Sequence, residues 1–151
     1  MLNEMSLNKE ALIDKLELKS HTEGGYYNRT YASPYAYSSN DGRPTMTSIY
    51  YLLTKDSPIN HFHKNISSDI VHYYHLGLPI KFTLISPEGD CTTTTLGPDI
   101  LAGHKLQMTA PAGVWKTGEL LCDGAEGPLD YGLTSEAVTP GFDFADHQFD
   151  V

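Results

Sequence analysis

The chain has 151 residues, 40% of them hydrophobic, which is enough apolar material for one domain with a real core. Nineteen Asp and Glu against ten Lys and Arg give a formal net charge of −9. That sign repels phosphate backbones and anionic bilayers, which excludes a nucleic acid polymer or a charged membrane surface as the main partner, although one locally basic pocket can still take a small anion.

Residues 7–17, LNKEALIDKLE, carry an apolar stripe at Leu12, Ile13 and Leu16 behind a capping Asn8, so a helix is predicted there. Segments rich in Tyr, Thr, Ile and Val follow, separated by turn residues. Strands are predicted at 25–32, 46–53, 59–64, 69–76, 79–86, 91–96, 105–110, 113–120 and 131–138. Short strands at this spacing predict a sandwich or barrel. The stretches 33–45 and 120–130 are expected to be loops, either lids or edges, and the tail PGFDFADHQFDV is expected to pack along the barrel. Gly24 and Gly25 predict a bend into the first strand, and CTTTT a strand rather than a phosphate loop. No apolar run approaches the ~20 residues of a membrane helix. The opening MLNEMSLNKE lacks the pattern of a signal peptide, so a cytoplasmic protein is expected, with Cys91 and Cys122 as reduced thiols.

The chemistry concentrates in NHFHKNISSDIVHYYHLG, residues 60–77, which holds His61, His63, His72 and His75. In a strand, side chains at i and i+2 share a face. His61 and His63 are therefore expected to point the same way, with Phe62 opposite. Two imidazoles on one face suit a Zn, Fe, Ni or Mn site, or equally the lining of a wet barrel mouth. His21, His104 and His147 lie in turn-rich or terminal segments and are expected to be exposed.

His61-Phe62-His63, then Gly77, then Pro111-Ala112-Gly113 resemble the cupin pattern. HTEGGYYNRTY at 21–31 resembles the H-P-E-G-G-Y-[FY] signature of a small RmlC-like cupin family labelled as a domain of unknown function, the Cupin_5 type. PGFDFADHQF at 140–149 resembles that family's closing A-P-G-F-D-F-x-D-F, with ISPEG, LG and PAGVW in matching order between. The resemblance implies an all-β fold, a cupin jelly-roll β-barrel with one N-terminal α-helix, spanning residues 1–151 as a single domain. It also implies a homodimer. Metal-binding cupins complete their site with a Glu shortly after H-x-H and a His just after P-x-G. Here Asp69 is the only acid in KNISSDIVHYY, Ile70 stands about where the Glu would be, and Lys116 takes the place of the last His. A protonated lysine repels a divalent cation. His72 is the residue that can replace a missing ligand, but the expectation is a site without metal or cofactor.

Alternation predicts Ile70, His72, Tyr74, Val114 and Lys116 facing inward. Lys116, and Lys81 if it faces in, would meet phosphate or carboxylate as point charges, and Arg29 of the entry segment is a further candidate ligand contact. Tyr27 and Trp115 would stack on a base or sugar face. Three functions stay open on these residues. One is a binding module for a small molecule of the nucleotide or nucleotide-sugar kind. Another, by resemblance to metal-free cupin epimerases, uses His61 or His63 as base, supported by Asp69, with Tyr74 as acid. The third is a metal-dependent oxygenase or isomerase.

Overall fold

A computed structural model of the chain describes residues 7–38, 41–123, 127 and 129–149. Helix α1 covers Lys9–Lys15, and the Asn8 side chain caps it by accepting from the Ala11 amide at 2.9 Å. The strands are β1 (Lys19–Ser20), β2 (Tyr26–Ala32), β3 (Ala36–Ser38), β4 (Asp41–Pro44), β5 (Thr47–Thr54), β6 (Ile59–Asn65), β7 (Asp69–Gly77), β8 (Ile80–Ile85), β9 (Cys91–Leu96), β10 (Gln107–Ala110), β11 (Trp115–Leu120), β12 (Tyr131–Thr139) and β13 (His147–Phe149).

Eleven of these strands, β3 and β4 aside, pair antiparallel throughout into two sheets ordered β1-β2-β5-β12-β7-β10 and β13-β6-β11-β8-β9, and β3 and β4 form a separate antiparallel pair. All nine predicted strands are present, with ends shifted by a few residues. That pair falls in the stretch expected to be a loop, and its short polar strands carry no alternation that the sequence could reveal. The tail packs on the barrel as expected, β13 pairing with β6. Among the described residues, no helix is long and apolar enough to cross a membrane.

The core explains why the polar side chains gather at one end. Tyr51, Leu53 and Met108 of the larger sheet meet Ile80, Phe82, Leu96 and Leu120 near the smaller one, filling part of the interior with apolar atoms. On the outer face of the larger sheet, Leu12 and Leu18 from around α1 cover Leu52 and Leu133, so β5 is buried on both faces there. Farther along the same strands the inward positions change character. Thr47 and Ile49 on β5, Ile70 on β7, and Glu136 and Val138 on β12 line a cavity instead.

Candidate functional site

The cavity encloses about 290 Å³. Lys19 and Arg29 are exposed on its rim, Tyr27 lies beside them, and Ile49, Ile70, Val138 and Phe142 supply apolar wall. Its floor holds Glu23, His63, His147 and Glu136.

Glu23 reaches the floor because the entry segment makes a tight turn. The His21 amide donates to the Gly25 carbonyl at 2.9 Å, and the Gly24 amide donates back to the His21 carbonyl at 3.1 Å. Gly24 and Gly25 have φ of +97° and +75°, a region open to glycine and strained for other residues. The Glu23 carbonyl then accepts from the His61 amide at 2.7 Å, which fastens the turn to β6. The side chain is buried, with Oε2 lying 3.0 Å from His147 Nε2 and 3.5 Å from His63 Nε2. Its other oxygen lies 3.7 Å from His21 Nε2. Burial disfavours the carboxylate, but the His147 hydrogen bond and the neighbouring imidazoles outweigh it and hold the pKa down to about 2.

His63 is 3% exposed, and its Nδ1 lies 2.7 Å from the His61 carbonyl oxygen. A carbonyl only accepts, so Nδ1 carries the proton and Nε2 presents a lone pair. Burial first, and the nearby Lys116 charge after it, push the imidazole down to about 4 against the pull of Glu23, so His63 is neutral at neutral pH.

A second buried cluster adjoins the first. His72 and Glu136 face each other across β7 and β12. Lys116 Nζ lies 2.8 Å from His72 Nε2 and 3.9 Å from Glu136 Oε1, and His72 Nδ1 lies 3.1 Å from that same oxygen. The ammonium donates to Nε2, which places the imidazole proton on Nδ1, toward the carboxylate. Glu136 stays well below the usual carboxylate range: burial opposes this, and the charge of Lys116 and the contact with His72 overcome it.

Of the residues singled out in the sequence, Tyr27, Arg29 and His63 line the cavity. His72 and Lys116 are buried, touching the cavity wall through Glu136. The remaining five lie elsewhere. His61 does not share a face with His63: it is exposed, while Asn60 and His63 are buried. The cause is a bulge where the β11 pairing steps from Lys116↔His63 to Gly118↔Asn60, setting two residues of β6 against one of β11. Tyr74 packs against the apolar core with its hydroxyl donating to the Gly77 carbonyl at 2.7 Å, outside the cavity wall. Asp69 is exposed and accepts from the Ala112 amide at 2.9 Å, holding the turn before β11. Lys81 is exposed on β8 opposite Glu119. Trp115 is half-buried under the Lys64 ammonium, 5.0 Å from the ring centroid.

The sequence reading missed Glu23, Glu136 and His147. The expectation of an exposed His147 is corrected: its side chain is 3% exposed, because β13 docks on β6 and Phe142 packs edge-on against the ring at 5.5 Å. His21 is largely buried too, at 11% of its side chain, and His104 is half-buried, its Nδ1 accepting from the Asp99 amide at 3.1 Å. One signal was available in the sequence, since Glu23 and His147 both fall inside the two segments that carry the family resemblance.

The metal position that the cupin pattern implies does not fit this chain. His61 points away, Ile70 has no donor atom, and the Lys116 ammonium already occupies His72 and Glu136. A different trio does bring donors together, with one ligand atom from each of Glu23, His63 and His147 within 4.8 Å of the others.

Residues 10–150 match the family described as Cupin superfamily (DUF985). The chain is 39% identical over 153 residues to the Saccharomyces cerevisiae protein named Uncharacterized protein YML079W, covering 93% of this chain and 74% of the yeast one. Among solved structures, Protein SO0799 from Shewanella oneidensis superposes with a TM-score of 0.84 at 34% identity, over 95% of this chain and 84% of its own. A hypothetical protein from Leishmania major superposes with a TM-score of 0.85 at 31% identity, over 95% and 88%.

Proposed function

The chain belongs to the Cupin superfamily (DUF985) family, and from that premise we propose that its cavity binds a small polar molecule with an anionic group, of the nucleotide or nucleotide-sugar kind. The zoning of the cavity carries this reading: cations at the rim, an aromatic and aliphatic wall, and a floor of carboxylate and imidazole. A volume of about 290 Å³ is at the small end of ligand pockets, which run ~300–1,000 Å³. It would enclose a sugar or a base and leave phosphate outside, beside Lys19 and Arg29. Tyr27 offers the ring face, held edge-on by His21 at 4.5 Å.

The test is a thermal-shift and calorimetric panel of nucleoside phosphates, nucleotide sugars and the matching uncharged sugars. The nucleotides should stabilise the chain, by roughly 2.7 kcal/mol at 100 times Kd. The double variant Lys19→Ala, Arg29→Ala should weaken them at least tenfold while leaving uncharged sugars unaffected. Equal binding of the uncharged sugars by the wild-type chain would sink the anionic part of the proposal.

One observation favours a second reading, isomerase or epimerase chemistry. His63 Nε2 is unprotonated at the cavity floor beside Glu23, which is the state a general base needs. The acid would then come from the cavity's own imidazoles, since Tyr74 donates elsewhere. Incubation of candidate sugars in D₂O would report it as deuterium at a ring carbon, abolished in His63→Gln.

The proposal includes a second copy of the chain as partner. Tyr73, Ile100 and Leu106 are 39%, 61% and 49% exposed around one surface hollow, with Leu101 fully exposed next to it. β9 and β10 are the outer strands of their sheets, the end of β9 being bridged from Leu96 to Lys105, and an outer strand beside apolar side chains suits pairing with a like edge. Light scattering on the eluting protein should give twice the chain mass, and Leu101→Glu with Leu106→Glu should reduce it to one.

A further inference from the structure

We propose that Glu23, His63 and His147 form a binding site for a first-row divalent transition ion, with one coordination position open to the cavity. This departs from the metal-free expectation drawn from Ile70 and Lys116, and it stands independently of the proposed organic ligand.

Spacing is the first argument. An ion bound at ~2.0–2.1 Å by tetrahedral ligands keeps those ligands ~3.3–3.4 Å apart. Glu23 Oε2 lies 3.0 Å from His147 Nε2 and 3.5 Å from His63 Nε2. Those two edges differ from that spacing by only a few tenths of an ångström, and on the third edge the His63 and His147 donors, within 4.8 Å of each other, would close by at most ~1.5 Å to take up an ion.

Protonation is the second. His63 Nδ1–H is committed to the His61 carbonyl, so the Nε2 lone pair faces a carboxylate oxygen at 3.5 Å. Two electron-rich atoms in that position repel each other unless a proton or a cation lies between them. Fixing the far ring nitrogen on a carbonyl is also the arrangement that orients metal-ligating imidazoles. Glu23 has an outer partner of its own. His21 Nδ1 accepts from the Glu23 amide at 3.0 Å, which leaves the proton on Nε2, 3.7 Å from the second carboxylate oxygen.

Charge is the third. Lys116 is the reason a cation looked excluded, but its ammonium is bound by His72 and lies 3.9 Å from Glu136. Glu23 and Glu136 bring two negative charges to the floor against that one positive charge, so the floor carries one net negative charge and attracts a dication rather than repelling it. Two imidazoles and one carboxylate select zinc or ferrous iron over magnesium or calcium, which prefer oxygen donors. All three ligands line the cavity, so the remaining position would take water or a ligand oxygen, as open three-ligand sites do.

The experiment uses the full, tag-free chain stripped with chelator. Zn²⁺ is titrated by calorimetry and Co²⁺ by visible absorption. Cu²⁺ is bound for electron paramagnetic resonance, where two coordinated nitrogens give a resolved hyperfine pattern on the unaltered chain. The expected result is one ion per chain and a two-nitrogen pattern. Glu23→Gln, His63→Gln and His147→Gln should each weaken Zn²⁺ by more than ~100-fold, His21→Gln by ~10–100-fold as an outer partner, and His61→Gln not at all. No ion bound below ~1 mM, or unchanged binding in the Glu23, His63 and His147 variants, would overturn the site. Because the spectroscopic pattern is read on the wild-type chain, the assignment stays testable even where a variant fails to fold.

Discussion

Lys116 is the residue whose position and role differ most between sequence and structure. From its place after P-x-G it reads as a ligand-facing cation; in the fold it is 2% exposed and spends its charge on His72 and Glu136. Removing one member of such a buried group leaves the others uncompensated. Lys116→Met should therefore destabilise the chain by ~3–5 kcal/mol in urea unfolding, and adding Glu136→Gln should restore part of it. The same cluster predicts acid lability. Burial, followed by the Lys116 charge, lowers the His72 pKa from its ordinary 6.5. As pH falls through ~6.5 the unfolded chain takes up a proton that the folded chain refuses, so the unfolded state binds more protons and stability drops. In chelator-treated protein, unfolding free energy should fall steadily from pH 7 toward pH 5, and His72→Gln should reduce that slope, leaving the share of His63, whose imidazole burial holds down to about 4. An unchanged slope in the variant would remove His72 as its source.

At the scale of elements, the turn at 21–25 and the bulge in β6 do the positioning. The bulge turns His61 out and lets Asn60 and His63 face in three residues apart, against the period of two that a regular strand keeps. The turn sets Glu23 over the same strand through the His61 amide. A Cβ at Gly24 would run into the Ile59 carbonyl, and the positive φ adds backbone strain. Gly24→Ala should cost at least ~1–3 kcal/mol of stability. It should also weaken whatever the cavity binds, because Glu23 moves with the turn. A melt shifted without loss of binding would show that the turn is structural only.

Across the whole molecule, the floor is assembled from parts far apart in sequence. His147 meets Glu23 across 124 positions, held there by Arg43. The Arg43 guanidinium donates to the Gly141 carbonyl at 2.6 Å, to Ser68 Oγ at 2.7 Å and to Asp146 Oδ2 at 3.1 Å, tying the closing segment to β4 and the start of β7. Asp146 Oδ2 accepts from the Ser67 amide at 2.9 Å as well. Arg43→Met should cost ~1.5–3 kcal/mol for the charged hydrogen bonds. It should also reduce binding in the cavity, although Arg43 is not among its lining residues. Binding unchanged in Arg43→Met would mean that the tail stays docked through β13 alone.

The sequence by itself determined the class of fold. Period-two alternation, turn residues between short strands, and an Asn8-capped apolar stripe are local features, and each left its element where the pattern placed it. Local order along β7 was also legible, with Ile70 and His72 both buried. What only the tertiary structure decided was which polar side chains meet. A bulge is a mismatch between two strands and has no trace in one strand's own sequence, so His61 was misplaced. Glu136 sits in a segment that looks like any strand, and Glu23 in a signature that marks the family without showing which side chains it meets. They become buried partners of imidazoles only when β6 and β13 come together over Glu23 and β7 pairs with β12 beside Glu136, because burial and charge pairing are properties of the packed neighbourhood and not of the residue.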